Sequence, residues 1–135
     1  MIDKVKQGKK NKVSGAEFER RVKKDLEAQG LIVDRWSNNV DLDKQKLIPA
    51  KVTWRKTPKG MFPLNLNSGF PDFISFKPFE LSSIVGVECK INGILDKIEK
   101  EKCKWYLYNG VFDKILIASK YKEGKHVVVK YKEFE

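Results

Sequence analysis

Two carboxylates and a lysine, Asp72, Glu88 and Lys90, stand at a spacing that suits phosphodiester chemistry. Pro71-Asp72 lies within the apolar run GFPDFISF, and Glu88-Cys89-Lys90 ends a second run, SIVGVECK. Fifteen residues separate the aspartate from the glutamate, enough for a strand, a turn and a second strand, and both runs are rich in β-formers. Alternate residues of a strand share a face, so Glu88 and Lys90 point one way and Cys89 the other. If the strands pair, Asp72 approaches that same face at the end of an apolar sheet. Hard oxygen donors with open positions suit Mg2+, which keeps several waters and accepts phosphate oxygens. A neighbouring ammonium orients a water or offsets charge growing on a phosphoryl group. Carboxylate pairs also arise in structural networks. Three features favour chemistry here: the acids adjoin hydrophobic strands, a third acid lies on a helix, and the chain is strongly basic.

The third acid is Glu19. Ser14-Gly15-Ala16-Glu17 reads as a capping box opening a helix over about 15–29, with Gly30 as its left-handed C′ residue. Phe18, Val22 and Leu26 form the apolar stripe, and Glu19 shares that side. A carboxylate there is costly to bury unless it binds a cation or pairs with a lysine or arginine.

The remaining elements follow from periodicity and turn residues. Residues 31–36 read as a strand, and 37–69 form a long connection with three prolines, Trp54 and a cluster of basic residues. A connection of that length is expected to be functional or disordered, and here an arm or hairpin over the substrate is predicted. Strands follow at about 70–76 and 84–90. A helix spans 94–108, with Ile94, Leu95, Ile98, Lys102 and Trp105 on one face. Strands at 114–119 and 126–131, joined around Gly124, close the chain. The order is α-β-β-β-α-β-β, an α/β chain whose second helix forms a crossover, so one strand pair is expected to be parallel.

At 135 residues the chain suits one domain, 1–135, with a basic N-terminal arm over 1–13 and an insertion over 37–69. Twenty-eight Lys and Arg against 18 Asp and Glu leave a net charge of +10, which points to a phosphate-bearing polyanion. No apolar run approaches the ~18–20 residues that span a bilayer, so no membrane partner is expected. The N-terminus lacks an apolar secretory segment, and a cytoplasmic protein is expected. Cys89 and Cys103 lack metal-ligand spacing and read as buried free thiols. The single histidine, His126, reads as a strand-edge residue, which removes mechanisms built on histidine clusters.

Taken together, these motifs resemble the PD-(D/E)xK nuclease superfamily, and within it the archaeal-type Holliday junction resolvases. The matching residues are Gly15-Ala16-Glu17-Phe18-Glu19-Arg20, then Gly30 and the strand through Arg35, then Asp72, Glu88 and Lys90, then Ile117-Ala118-Ser119-Lys120. Two departures stand out. Resolvases of this type reach the aspartate through a short serine-bearing loop, whereas here Ser37 begins a 33-residue insertion. The stretch from Ser68 to Gly110 also resembles the VRR-NUC branch, but Lys102 stands where that branch carries glutamine.

The resemblance implies a restriction-endonuclease-like core, a central mixed sheet flanked by helices. It implies Asp72 and Glu88 as ligands of Mg2+ or Mn2+, with the backbone carbonyl of Cys89 as a candidate third ligand and Glu19 as a water-mediated or second-ion ligand. Lys90 would position the attacking water. Arg20, Arg35, Ser37, Lys97 and Lys102 are candidate DNA contacts, as are Lys51, Trp54, Arg55 and Lys56 in the insertion. The expected partner is branched DNA, above all a four-way junction, bound by a homodimer, with Phe62, Phe79, Trp105 and Tyr108 as candidate interface aromatics. The alternatives are a flap, single-strand or nicking nuclease of the same fold, or a non-catalytic DNA-binding module.

Overall fold

The computed structural model describes residues 4–50, 52–66, 69–80 and 83–135, and side chains over 14–50, 56–61, 69–80 and 83–135. The chain is α/β, with a mixed central sheet and two helices. Helix α1 (Lys4–Ala28) is followed by β1 (Ile32–Arg35), β2 (Asn38–Asp41), β3 (Lys46–Pro49), β4 (Val52–Thr57) and β5 (Gly60–Leu66). Then come β6 (Phe73–Phe76), β7 (Val85–Cys89), α2 (Lys97–Tyr108), β8 (Lys114–Glu123) and β9 (His126–Glu133).

α1 begins well before the predicted capping box and runs through Ser14, so Ser14 is not its N-cap. The Lys- and Gln-rich segment upstream has good helix propensity and extends the helix, and residues 4–13 of the basic arm are helical. At the other end Gly30 has φ 87°, and Leu31 N–H closes onto Leu26 C=O at 3.2 Å, as a left-handed cap requires. Phe18, Val22 and Leu26 are buried, four residues apart, against the sheet.

The main sheet has five strands in the order β1-β6-β7-β8-β9. Three pairings are antiparallel, and β7–β8 is parallel, joined by α2 as the crossover. Parallel pairing cannot be closed by a tight turn, which is why the helix lies between these two strands. The central strand β7 sorts its residues by alternation. Val85 and Val87 enter the α1 core with Phe73, Val33 and Ala118. Gly86 and Glu88 stand beside Ile115 and Ile117, which pack in the α2 core with Cys103, Tyr106 and Phe112. A Cβ on Gly86 would lie 3.0 Å from Pro71 Cγ and 3.1 Å from a Phe112 ring carbon. Glycine there lets Pro71, and therefore Asp72, lie close over the central strand.

α2 differs from its expected form. It begins at Lys97, and its buried residues are Cys103 and Tyr106, whereas Ile94 and Ile98 are 68% and 59% exposed. A capping box fixes this start: Glu99 N–H donates to Asp96 Oδ1 at 2.8 Å, and Asp96 N–H donates to Glu99 Oε1 at 3.0 Å. The box excludes Ile94 and Leu95 from the helix and leaves Ile98 facing outward.

The insertion forms two antiparallel hairpins, β2–β3 and β4–β5. Phe70 N–H donates to Asn38 C=O at 2.9 Å, tying the first hairpin to the segment before Asp72. Among the candidate interface aromatics, Phe79 and Tyr108 are fully solvent-facing, Trp105 packs partly against the α2 core, and the Phe62 side chain lies outside the described residues. Cys89 and Cys103 are free thiols, and His126 is exposed at the start of β9.

Candidate active site

Glu88 is charged in type yet only 5% exposed, and among the described residues its buried Oε1 has no hydrogen-bond partner. Asp72 stands beside it. Asp72 Oδ2 accepts the Cys89 N–H at 2.8 Å, so the aspartate is pinned to the end of β7 through the backbone of the neighbouring residue. Burial first, and then the adjacent Asp72 carboxyl, push the Glu88 pKa up from 4.5 to about 11, with Lys90 opposing. Without a cation, Glu88 therefore holds a proton at neutral pH.

The Asp72 backbone is held as firmly as its carboxylate. Trp36 N–H donates to Asp72 C=O at 3.2 Å. Tyr106 of α2, fully buried, donates its hydroxyl hydrogen to Phe70 C=O and accepts from Trp36 Nε1 at 3.0 Å. Tyr106 thereby ties the segment carrying Pro71-Asp72 to both α2 and the end of β1.

Glu19 reaches the same place from α1. Arg35 Nη2 donates to Glu19 Oε2 at 2.8 Å, so the pairing with a basic residue, one of the two fates open to a core-facing acid, is realised. Burial raises the Glu19 pKa, the Arg35 hydrogen bond lowers it, the Asp72 charge raises it, and the net direction is up. Arg35 also lies over the Phe73 ring at 5.4 Å, a second contact for a side chain that is otherwise mostly exposed.

Lys90 departs from β7 toward α2. Its Nζ lies 2.5 Å from Glu99 Oε2. Burial would lower the Lys90 pKa, but the Glu99 hydrogen bond and charge, and then Glu88, outweigh it and hold the ammonium above its ordinary value. The Cys89 side chain packs toward the α1 core, and burial, then the Asp72 charge, push its thiol pKa far up, so it is inert as a nucleophile.

One open cleft of about 430 Å³ collects Glu19, Asp72, Glu88, Cys89, Lys90 and Lys102, along with Asn39, Phe70, Asp96 and Glu99. Lys102 Nζ sits 5.7 Å from the Phe70 ring centroid. The other candidates lie elsewhere. Arg20 lines a groove along α1, Lys97 is exposed at the start of α2, Lys56 is exposed on β4, and Ser37 is exposed beyond β1. Lys51 and the side chains of Trp54 and Arg55 lie outside the described residues. Glu99 and Asn39 were missed by sequence reasoning. Asp96-x-x-Glu99 carries a legible helix-start pattern, but the arrival of Asn39 from the insertion has no local signal.

Among the described residues, no three His, Cys, Asp or Glu side chains form a ready metal cluster. The donors at hand are Asp72 and Glu88, one with an unpartnered buried oxygen. That set fits a hard divalent cation that retains several waters, as Mg2+ does. No family model, curated protein or solved structure matches the chain. Among the described residues, no helix is long and apolar enough to cross a membrane.

Proposed function

We propose that the chain is a metal-dependent, structure-selective DNA endonuclease of the cytoplasm, with the four-way junction as its leading substrate. The observation that carries this is Glu88: a buried carboxyl with an open oxygen, beside Asp72, in a cleft that also holds Lys90 and Lys102. An apolar or amide side chain would be cheaper at such a position unless a cation is to be bound there. The net charge of +10 suits a polyphosphate substrate. A restriction-endonuclease-like core belongs to the same reading: with the two hairpins set aside, the elements follow α-β-β-β-α-β-β.

Asp72 and Glu88 would hold Mg2+ or Mn2+, with the Cys89 carbonyl as a third donor. Such an ion polarises the scissile phosphate and lowers the pKa of a bound water. To serve as a ligand Glu88 would have to release its proton. Lys90 orients the attacking water and offsets charge on the phosphoryl oxygens, while Lys102 holds an adjacent phosphate. Glu19, clamped by Arg35, keeps Asp72 in a negative field and would reach an ion through water. The products would be a 3′-hydroxyl and a 5′-phosphate, as the family resemblance implies.

Asn39 favours one alternative, because it brings the insertion into the cleft, where it would alter substrate choice toward flaps, single strands or nicks. Labelled four-way junction, flap, single-stranded and duplex DNA, incubated side by side with Mg2+, separate these readings. A resolvase needs two active sites related by a self-complementary interface, so a homodimer should place paired nicks in opposing strands of a cruciform plasmid and linearise it. A monomer producing only nicked circles would favour the flap or nicking enzyme. Loss of all cleavage, with DNA binding retained, would leave a non-catalytic DNA-binding module.

A further inference from the structure

Lys90 has a choice of carboxylates, and the one it takes is the one the proposed chemistry does not need. Glu88 and Asp72 lie in the same cleft, and Glu88 Oε1 is unpartnered. Yet the ion pair forms with Glu99, at 2.5 Å, and among the described residues Glu99 is the only acid within ion-pairing distance of Lys90. Glu99 is only 16% exposed at its side chain and is held from a second direction, since its other oxygen accepts the Asp96 N–H at 3.0 Å. The backbone of Lys90 is also fixed: its N–H donates to Ala118 C=O at 2.9 Å, and its C=O accepts from Gly93 N–H at 2.8 Å. What remains free in Lys90 is the direction of its four-carbon arm.

A flexible ammonium beside two carboxylates tends to collapse onto them, and here that collapse would fill the cation position with the protein's own lysine. We propose that Glu99 is a positioning residue that holds Lys90 off Glu88 and so keeps the Asp72–Glu88 site open to a divalent ion. The inference rests on the metal-dependent reading of that site. It assigns to the first turn of α2 a second task beside capping: the carboxylate that starts the helix also restrains the lysine at the site.

The test is Mn2+ binding by isothermal titration calorimetry on the full chain, with chemical denaturation alongside to verify folding. Glu99→Gln keeps an acceptor for the capping box but removes the charge that attracts Lys90. Glu99→Asp keeps the charge but withdraws its reach by one methylene. Both should weaken Mn2+ binding about tenfold, in the range typical for the loss of a group that orients metal ligands. In a Lys90→Met background, Glu99→Gln should change Mn2+ affinity less than twofold, because no ammonium is left to occupy the site.

Equal effects of Glu99→Gln with and without Lys90 would overturn the inference, since a plain electrostatic field acts in either background. So would Glu99→Asp binding as tightly as the parent. If the parent itself binds no Mn2+, the metal-dependent function fails, and that outcome is distinct from a parent that binds while the Glu99 variants match it.

Discussion

Replacing Glu88 by glutamine should make the metal-free protein more stable, by an amount that grows with pH. Glu88 is 5% exposed, and its pKa rises from 4.5 to about 11 on folding, through burial first and Asp72 second. A carboxyl whose folded value lies above its unfolded value stabilises the fold fully below pH 4.5. That contribution is lost as pH climbs from 4.5 toward 11, because the unfolded chain ionises while the folded chain must keep the proton. Each pH unit in that window costs about 1.4 kcal/mol. From 4.5 to 7 the loss comes to about 3 kcal/mol, equivalent to roughly 10 °C in midpoint for a chain of this size. Glutamine does not titrate and escapes the loss. Urea denaturation of both proteins in EDTA, at several values between pH 4 and 8, should give curves that meet near pH 4 and diverge steadily above pH 5. Mg2+ should reverse the order by stabilising only the wild type, since ligand binding to the folded state adds to its stability. A pH-independent gap between the proteins in EDTA, or no gap at all, would refute the proton on buried Glu88.

Asp72→Asn, Glu88→Gln and Lys90→Ala should each lower the single-turnover cleavage rate by ~10²–10³-fold while leaving DNA affinity nearly unchanged, as filter binding would show. Tyr106→Phe leaves the Trp36 indole N–H and the Phe70 carbonyl without their shared partner, and should cost about 1–3 kcal/mol in equilibrium unfolding. It should also slow cleavage, because the Pro71-Asp72 segment loses its anchor to α2. Deleting residues 1–12, or neutralising Lys51, Arg55 and Lys56 together, should flatten the salt dependence of duplex binding by ~0.9 in log–log slope for each phosphate no longer neutralised. An unchanged slope would make these residues solubilising surface.

Much of the site could be anticipated because it rests on local pattern. The two apolar runs around Asp72 and Glu88 read as strands, and alternation alone separated Glu88 from Cys89. The helical stripe of Phe18, Val22 and Leu26 placed Glu19 near the sheet, and the helix after Lys90 implied the parallel pairing of β7 with β8. Each of these rests on a repeat of two or 3.6 residues, which the chain carries whatever its tertiary neighbours are.

Tertiary structure decided which charge meets which. Arg35 takes Glu19 from 16 residues away, and Lys90 takes Glu99 in preference to the acid two positions before it. No periodicity encodes such a choice, because an ammonium's partner depends on reach, burial and competing hydrogen bonds after the helices have docked. The same holds for Asn39, which an inserted hairpin delivers to the cleft. Helix starts fell between the two cases. Ser14-x-x-Glu17 and Asp96-x-x-Glu99 both carry capping chemistry, but only the second is used. Upstream of Ser14 the chain is rich in helix formers and continues the helix, whereas upstream of Asp96 it must leave β7 and turn, with Gly93 at φ 74°. A cap acts only where the chain outside it cannot remain helical.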